Sequence, residues 1–326
     1  MTTAAEKPKA KFHIPFMEGV LPIKGSQVPA EIIAGLTLAA LAIPEVMGYT
    51  KIAGMPVITG LYTILIPSFL YAIFCSSRHL VVGADSATAA ILAAGLVGVA
   101  AVGSDEYVAL AAVLAFMAAG FLILARIIGL GFLADFLSRT VLVGFLTGVG
   151  IQVAFGEISG MLGLKGGGHG TLGKIWTDIQ QIGDINYYSA ATALAVLVVL
   201  IGSKKISNKI PGGLIAVVGA IVISWAMNLG QYMHVLGTVP SGLPHLSLPK
   251  VDWSLSLLSG LLPTAFSIFL VILAQSAATS RAYAARYNER SDENQDLVGL
   301  GAANLGAAFC GSFVVNGSPT KTEMVD

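Results

Sequence analysis

The sequence predicts an all-α protein that crosses a lipid bilayer many times, and three observations carry this. Only 11% of its 326 residues are charged and 55% are hydrophobic, whereas a soluble domain carries about 25% charged residues. Nine apolar runs approach the roughly 20 residues that a spanning helix needs. Basic residues also alternate between sides. Thirteen of the 18 fall in the N-terminal tail and every second loop, while the other loops hold only Lys51, Lys165, Lys174 and Lys250. Lys321 stands apart in the last segment. Since cytoplasmic loops concentrate Lys and Arg, the N-terminus is expected inside.

Residues 1–28 are polar and basic without an apolar core, as a cytosolic tail and not a cleaved signal would be. Residues 29–229 hold seven runs, at 30–49, 57–75, 86–102, 107–126, 140–161, 187–202 and 211–228. Between the fifth and sixth, Leu172, Ile175, Trp176 and Ile179 share one helical face, which suggests a short helix lying on the membrane surface. Residues 230–252 form an outer loop whose proline-rich part, "LGTVPSGLPHLSLPKVD", reads as extended. Residues 253–326 hold runs at 255–280 and 295–310 and the start of another, with 281–296 continuing the eighth run as a polar helix end.

Composition also excludes several functions. A formal charge of zero leaves no nucleic-acid footprint. Cys75 and Cys310 sit in apolar runs as core residues would, and the histidines at 13, 169, 234 and 245 lack metal-ligand spacing. No Ser–His–Asp, metal or nucleotide-binding constellation occurs, so neither an enzyme nor a cofactor is expected.

Two stretches break the pattern alike. "LVVGADSATAA" at 80–90 and "FVVNGSPTKTE" at 313–323 each run from β-branched residues through a glycine to small hydroxyl residues. Each is third in its series if the eighth run restarts the count. Such matched breaks point to a transporter's binding site, because irregular backbone at membrane depth is tolerated only beside a cavity or inside protein. A helix that starts there presents unpaired N–H groups, equivalent to about half a positive charge. Two such starts facing each other make an anion site. Segments 3 and 10 are therefore expected to begin near mid-membrane, with the N–H groups around Asp85–Ala87 and Ser318–Thr320 facing a shared cavity.

Residues 31–83 contain "AGLT", "AIP", "AGMPVITGLY" and "SRHLVVG" in order, and the chain resembles the sulfate permease (SulP) anion transporters. The similarity continues more weakly to the C-terminus. The resemblance implies a seven-plus-seven inverted-repeat transporter fold, with segments 1–4 and 8–11 as a core domain and the rest as a gate. It also implies substrate held between the starts of segments 3 and 10, an elevator-like movement of the core, and a homodimer when full length. Against the family pattern the chain stops at Asp326, inside segment 10, so the second repeat is expected to be incomplete and the STAS domain missing. The first seven segments should then be the ordered part, with the second repeat loosely held. Ala84 replaces a common proline, Gln275 a common carboxylate, and "GSPTKT" a common "GSFSRS".

The candidate substrate-binding residues are Glu45, Asp85, Ser86, Ala87, Gln275, Thr279, Ser318, Thr320 and Lys321. Glu45, beside Pro44, either faces the site or is solvated at a helix end. Asp85 either caps the half-helix or contacts substrate, and with Glu45 it is a candidate for carrying a proton. Gln275 and Thr279, four apart on one face, either meet substrate or hydrogen-bond between helices. Lys321 suits the positive end of a half-helix only when an anion is present. The expected function is secondary transport of a small inorganic anion, sulfate first, by proton symport or anion exchange. Bicarbonate and dicarboxylates are the alternative substrates, and an anion-binding membrane protein or an inactive fragment is the alternative class.

Overall fold

A computed structural model describes residues 16–23, 25–96, 98–131, 139–167, 170–207, 210, 212–235, 239–289 and 292–325. Most of the predicted tail, including His13, and also His169 lie outside the described residues. Twelve helices and one two-stranded pairing make up the described fold: α1 (Val28–Ala53), α2 (Val57–Ile64), α3 (Ile66–Phe74), β1 (Val82–Gly83), α4 (Ser86–Leu96), α5 (Asp105–Ile128), α6 (Arg139–Leu162), α7 (Gly170–Gln180), α8 (Tyr187–Ile206), α9 (Gly212–Ala226), α10 (Leu255–Tyr287), α11 (Glu293–Phe309), β2 (Asn316–Gly317) and α12 (Pro319–Val325). Among the described residues, five stretches are long and apolar enough to cross a membrane.

Helix ends follow capping chemistry. Ser104 opens α5 by accepting a hydrogen bond from the Tyr107 N–H, with Asp105 and Glu106 in the first turn, and Gly129 closes it in the left-handed conformation. Asp292 accepts from Asn294 and Gln295 at the start of α11. Three predicted boundaries change. The polar end of the eighth run stops at Tyr287, with Asn288 in the left-handed conformation, so that 293–296 already belong to α11 and not to that end. The run 57–75 is two helices meeting at Leu65. Pro67, which lacks an N–H and crowds the preceding turn, sits within the first two residues of α3. The third run stops at Leu96, short of 102, and Gly98 turns with φ of 80°.

The two runs of the second repeat are not loosely held. α11 packs along α3 and α5, and α10 packs against α4 and α5. Gly299 and Gly306 bring α11 close to α3: a Cβ at Gly299 would lie 3.0 Å from the Tyr71 ring, and one at Gly306 2.6 Å from Leu70. Leu114, Leu122, Ile268, Ile272 and Leu300 are fully buried between these helices. The sparsely packed part is α8 and α9, whose Leu194, Val198, Ile221 and Trp225 are exposed. α7 turns Leu172, Trp176 and Ile179 outward and docks its polar side on α6, where the Ser159 hydroxyl donates to Asp178 at 2.6 Å. Residues 239–253 run without helix or strand, tied to α11 by the Ser247 N–H on the Phe309 carbonyl.

Candidate functional site

The two predicted breaks meet. β1 and β2 pair antiparallel, with Val82 opposite Gly317 and Gly83 opposite Asn316. The pairing extends one residue further, because the Ser318 N–H donates to Val81 O at 2.9 Å and the Val81 N–H to Thr322 Oγ1 at 3.1 Å. Each break is thus the point where a chain leaves helical geometry to pair with the opposite repeat, which satisfies backbone groups that a kinked helix would leave open. At Gly83 a side chain would be tight but not excluded. A Cβ there would sit 3.2 Å from Ile64 and 3.5 Å from the Lys321 stem.

Side chains fasten both crossings. Around β1, the Ser68 hydroxyl donates to Val82 O at 2.7 Å, and Ala84 N–H donates to Thr63 Oγ1 at 3.4 Å. Around β2, Asn304 on α11 accepts from the Val315 N–H and donates to the Val315 carbonyl, each at 3.0 Å. Asn316 donates to Gln275 Oε1 and accepts from the Ser276 hydroxyl, which also accepts from the Gly317 N–H. Gln275 therefore hydrogen-bonds between segments. Thr279 is fully buried, and its hydroxyl donates to the Gln275 carbonyl of its own helix.

The two half-helix starts are capped differently. Asp85 Oδ2 accepts from the Ala87 N–H at 3.0 Å, with Ser86 and Ala87 forming the first turn of α4. Ser318 Oγ accepts from the Lys321 N–H at 3.3 Å and lies 3.0 Å from Thr320 Oγ1. The Lys321 side chain then crosses to the first repeat. Its Nζ donates to Ala84 O at 2.6 Å, lies 3.1 Å from Glu45 Oε2, and stands 4.9 Å from the centre of the Tyr49 ring. Lys321 is fully buried, whereas 14% of the Glu45 side chain is exposed. Tyr49, one turn along α1, donates to Glu45 Oε1 at 2.6 Å, and Thr320 Oγ1 reaches the same oxygen at 3.5 Å. Glu45 Oε2 meets Lys321 without an aligned hydrogen bond. Asp85 lies within Coulombic range of Lys321 and Glu45.

The structure thus gathers Glu45, Asp85, Ser86, Ala87, Ser318, Thr320 and Lys321 at one crossing, and joins Gln275 to it through Asn316. Sequence reasoning missed Tyr49, Asn304, Asn316 and Ser276. It also missed Glu157 on α6, which lies within Coulombic range of Glu45 and Lys174. Tyr49 was findable as the i+4 neighbour of Glu45, and Asn304 as a lone carboxamide in the apolar run "GAANLGAAF".

A family model described as the sulfate permease family matches residues 29–325. The chain belongs to that family. It is 33% identical over 297 residues to a probable sulfate transporter of Mycobacterium tuberculosis (strain CDC 1551 / Oshkosh), covering 91% of this chain and 53% of the relative. It is 27% identical to human solute carrier family 26 member 6, covering 90% of this chain and 41% of that one. The chain spans about half the length of the curated relatives it matches. Among solved structures, the murine solute carrier 26 family member A9 anion transporter in the inward-facing state aligns with a TM-score of 0.76 at 22% identity. That alignment covers 99% of this chain and 58% of the other. The transmembrane domain of a cyanobacterium bicarbonate transporter aligns with a TM-score of 0.72 at 21% identity, covering 93% and 78%. The fold is therefore the inverted-repeat transporter fold, and the chain is a multi-pass membrane protein of a permease family, not an enzyme family.

Proposed function

We propose that the β1–β2 crossing is the anion site of a secondary transporter, with sulfate as the first substrate to test and bicarbonate and dicarboxylates next. The observation that carries this is Lys321, a fully buried cation at the start of the second half-helix, aimed at the start of the first. Glu45 faces the lysine at 3.1 Å. A dianion entering beside it would meet the carboxylates of Glu45 and Asp85, and like charges in a low-dielectric site repel by several kcal/mol, on the order of 4 at contact distance. A proton on Glu45 removes one of them, leaves an O–H donor facing the anion, and frees Lys321. The natural coupling is proton with anion, the Glu45 carboxyl group taking the proton as Lys321 turns from it to the anion. Gln275, a neutral amide held by Asn316, offers no carboxylate for sodium.

The remaining parts of this reading follow the family. The N-terminus is cytoplasmic in the plasma or inner membrane, residues 29–229 and 253–326 belong to the two repeats, the full-length protein is a homodimer, and the core moves like an elevator.

The deciding measurement is uptake of radiolabelled sulfate into proteoliposomes with and without an inward proton gradient. Sulfate uptake should rise with the gradient, remain when sodium is replaced by potassium, and lose its gradient dependence in Glu45→Gln. Saturable sulfate binding with no uptake would favour an anion-binding membrane protein instead. Sodium-dependent uptake would remove the role given to Gln275.

A further inference from the structure

His79 lies outside the anion site, yet it stands two residues before Val81, the residue through which β1 is tied to both Ser318 and Thr322. Its ring stacks on Tyr287 of α10, with centroids 4.4 Å apart and planes 13° apart, and Tyr283 lies 6.2 Å away in a second stacked arrangement. Its Nε2 is 3.2 Å from Oε2 of Glu289, just beyond the end of α10. The same helix end holds the other half-helix, because the Tyr283 hydroxyl donates to Glu323 Oε2 of α12 at 2.5 Å and Arg286 lies 3.8 Å from the same oxygen. One helix end therefore grips the lead-in to the first break and the helix after the second.

We propose that His79 is a proton-operated positioning residue, holding the β1 lead-in against the end of α10 when protonated and releasing it when neutral. The imidazolium attracts the Glu289 carboxylate and lies over the face of Tyr287, a cation–π arrangement that a neutral ring does not gain. Histidine is the side chain that ordinarily titrates between about pH 5 and 8, and 28% of the His79 side chain is open to solvent, so protons reach it. The charged groups around it are Glu289 and Arg286 from α10 and the turn after it, Glu323 from α12, and Arg78 beside it in the chain. Glu18, Asp292 and Glu293 line the same surface cavity as Glu289 and Arg78. The attraction is present while the ring carries its second proton and is lost when the ring is neutral. Because Val81 is bonded to Ser318 and Thr322, which flank Lys321, release changes the geometry of the crossing. That consequence rests on the proposed anion site, and the latch itself does not.

Amide hydrogen exchange on the purified protein in nanodiscs tests the latch without any transport assay. After correction for intrinsic rates, peptides covering residues 79–85 and 316–323 should lose protection several-fold between about pH 5.5 and 8. His79→Phe keeps an aromatic stack but no proton, so its protection should not change over that range. Glu289→Gln removes the carboxylate that faces the ring and should weaken the protection seen at low pH. A pH-independent wild type, or a His79→Phe variant with the wild-type profile, overturns the proposal. A parallel measurement of sulfate affinity separates the two readings. If affinity follows the exchange transition, His79 positions the anion site, and an affinity indifferent to the transition overturns that positioning role. Absence of sulfate binding in every variant counts against the anion site, while the exchange result still decides the latch.

Discussion

The two breaks share a backbone plan and differ in chemistry. At the first, β1 leads to a carboxylate cap at Asp85, and hydroxyls from Ser68 and Thr63 hold the strand. At the second, β2 leads to a hydroxyl cap at Ser318 followed by Lys321, and carboxamides from Asn304 and Asn316 hold the strand. One repeat carries the acids, Glu45 and Asp85, and the other carries the base. The lysine leaves its own repeat and lies against the other one. An inverted repeat built from two like halves would present two identical positive helix ends. Here the two halves differ so that each neutralises the other, the lysine of one pairing with the glutamate of the other.

The largest effect is expected from removing the base. Lys321→Met leaves the Glu45 carboxylate unpaired and the buried Ala84 carbonyl without its donor. Breaking a buried pair from one side costs about 3–5 kcal/mol, which denaturant unfolding in detergent micelles would read, and sulfate binding should disappear. Adding Glu45→Gln should recover most of the stability, since no charge is then left unpaired, but not the binding. If the double variant is as unstable as the single one, the lysine matters through Ala84 alone and the picture of two neutralising halves is wrong.

An intermediate effect separates the carboxamide from the hydroxyl fastening. Asn304→Leu removes the partner of both the N–H and the C=O of Val315, all fully buried. Each orphaned group costs about 1–3 kcal/mol. Ser68→Ala removes the donor of a single carbonyl, Val82 O, which faces away from β2 because Val82 and Gly317 form a non-hydrogen-bonded pair, and should cost about 1–3 kcal/mol, as one orphaned group against two. Unfolding midpoints of the two variants should therefore differ clearly, with the second break the more dependent on its fastener. Equal losses would mean that the β1–β2 pairing, and not the side chains, holds both crossings.

The contrast between the breaks also separates what is legible in the amino-acid sequence from what is not. The breaks themselves are legible because polar, small and β-branched residues interrupt otherwise apolar runs, and lipid forces such interruptions to have a purpose. The Asp85 cap is legible because capping is local. The Glu45–Lys321 pair is not, since its members lie near opposite ends of the chain and only the strand pairing brings them together. The break at Leu65 escapes hydropathy because the run 57–75 is uncharged and mostly apolar, and a proline that alters only hydrogen bonding leaves no mark there. The expectation of a loosely held second repeat failed for a related reason. It weighed the partners thought to be missing and not those already present, whereas the glycine face of α11 packs against α3 using contacts within this chain alone.

The smallest effect tests the acid at the first break and separates its two roles. Asp85 caps α4 through Oδ2 and also places a negative charge within Coulombic range of Lys321. Asn retains an oxygen that can accept from the Ala87 N–H, so Asp85→Asn should change stability by no more than about 0.5 kcal/mol, whereas Asp85→Ala should cost about 1 kcal/mol. The charge has the opposite consequence for binding. Removing one like charge from a partly dehydrated site relieves on the order of 1–2 kcal/mol of repulsion toward an incoming anion, a gain of about tenfold in affinity. Both variants should therefore bind sulfate more tightly than wild type near neutral pH, with Asn the more stable of the two. Isothermal titration of sulfate into the three proteins, beside their unfolding curves, reads both quantities. Weaker binding in Asp85→Asn would mean that the carboxyl group itself holds the anion through a proton, and the first repeat would then act as a donor as well as a counter-charge.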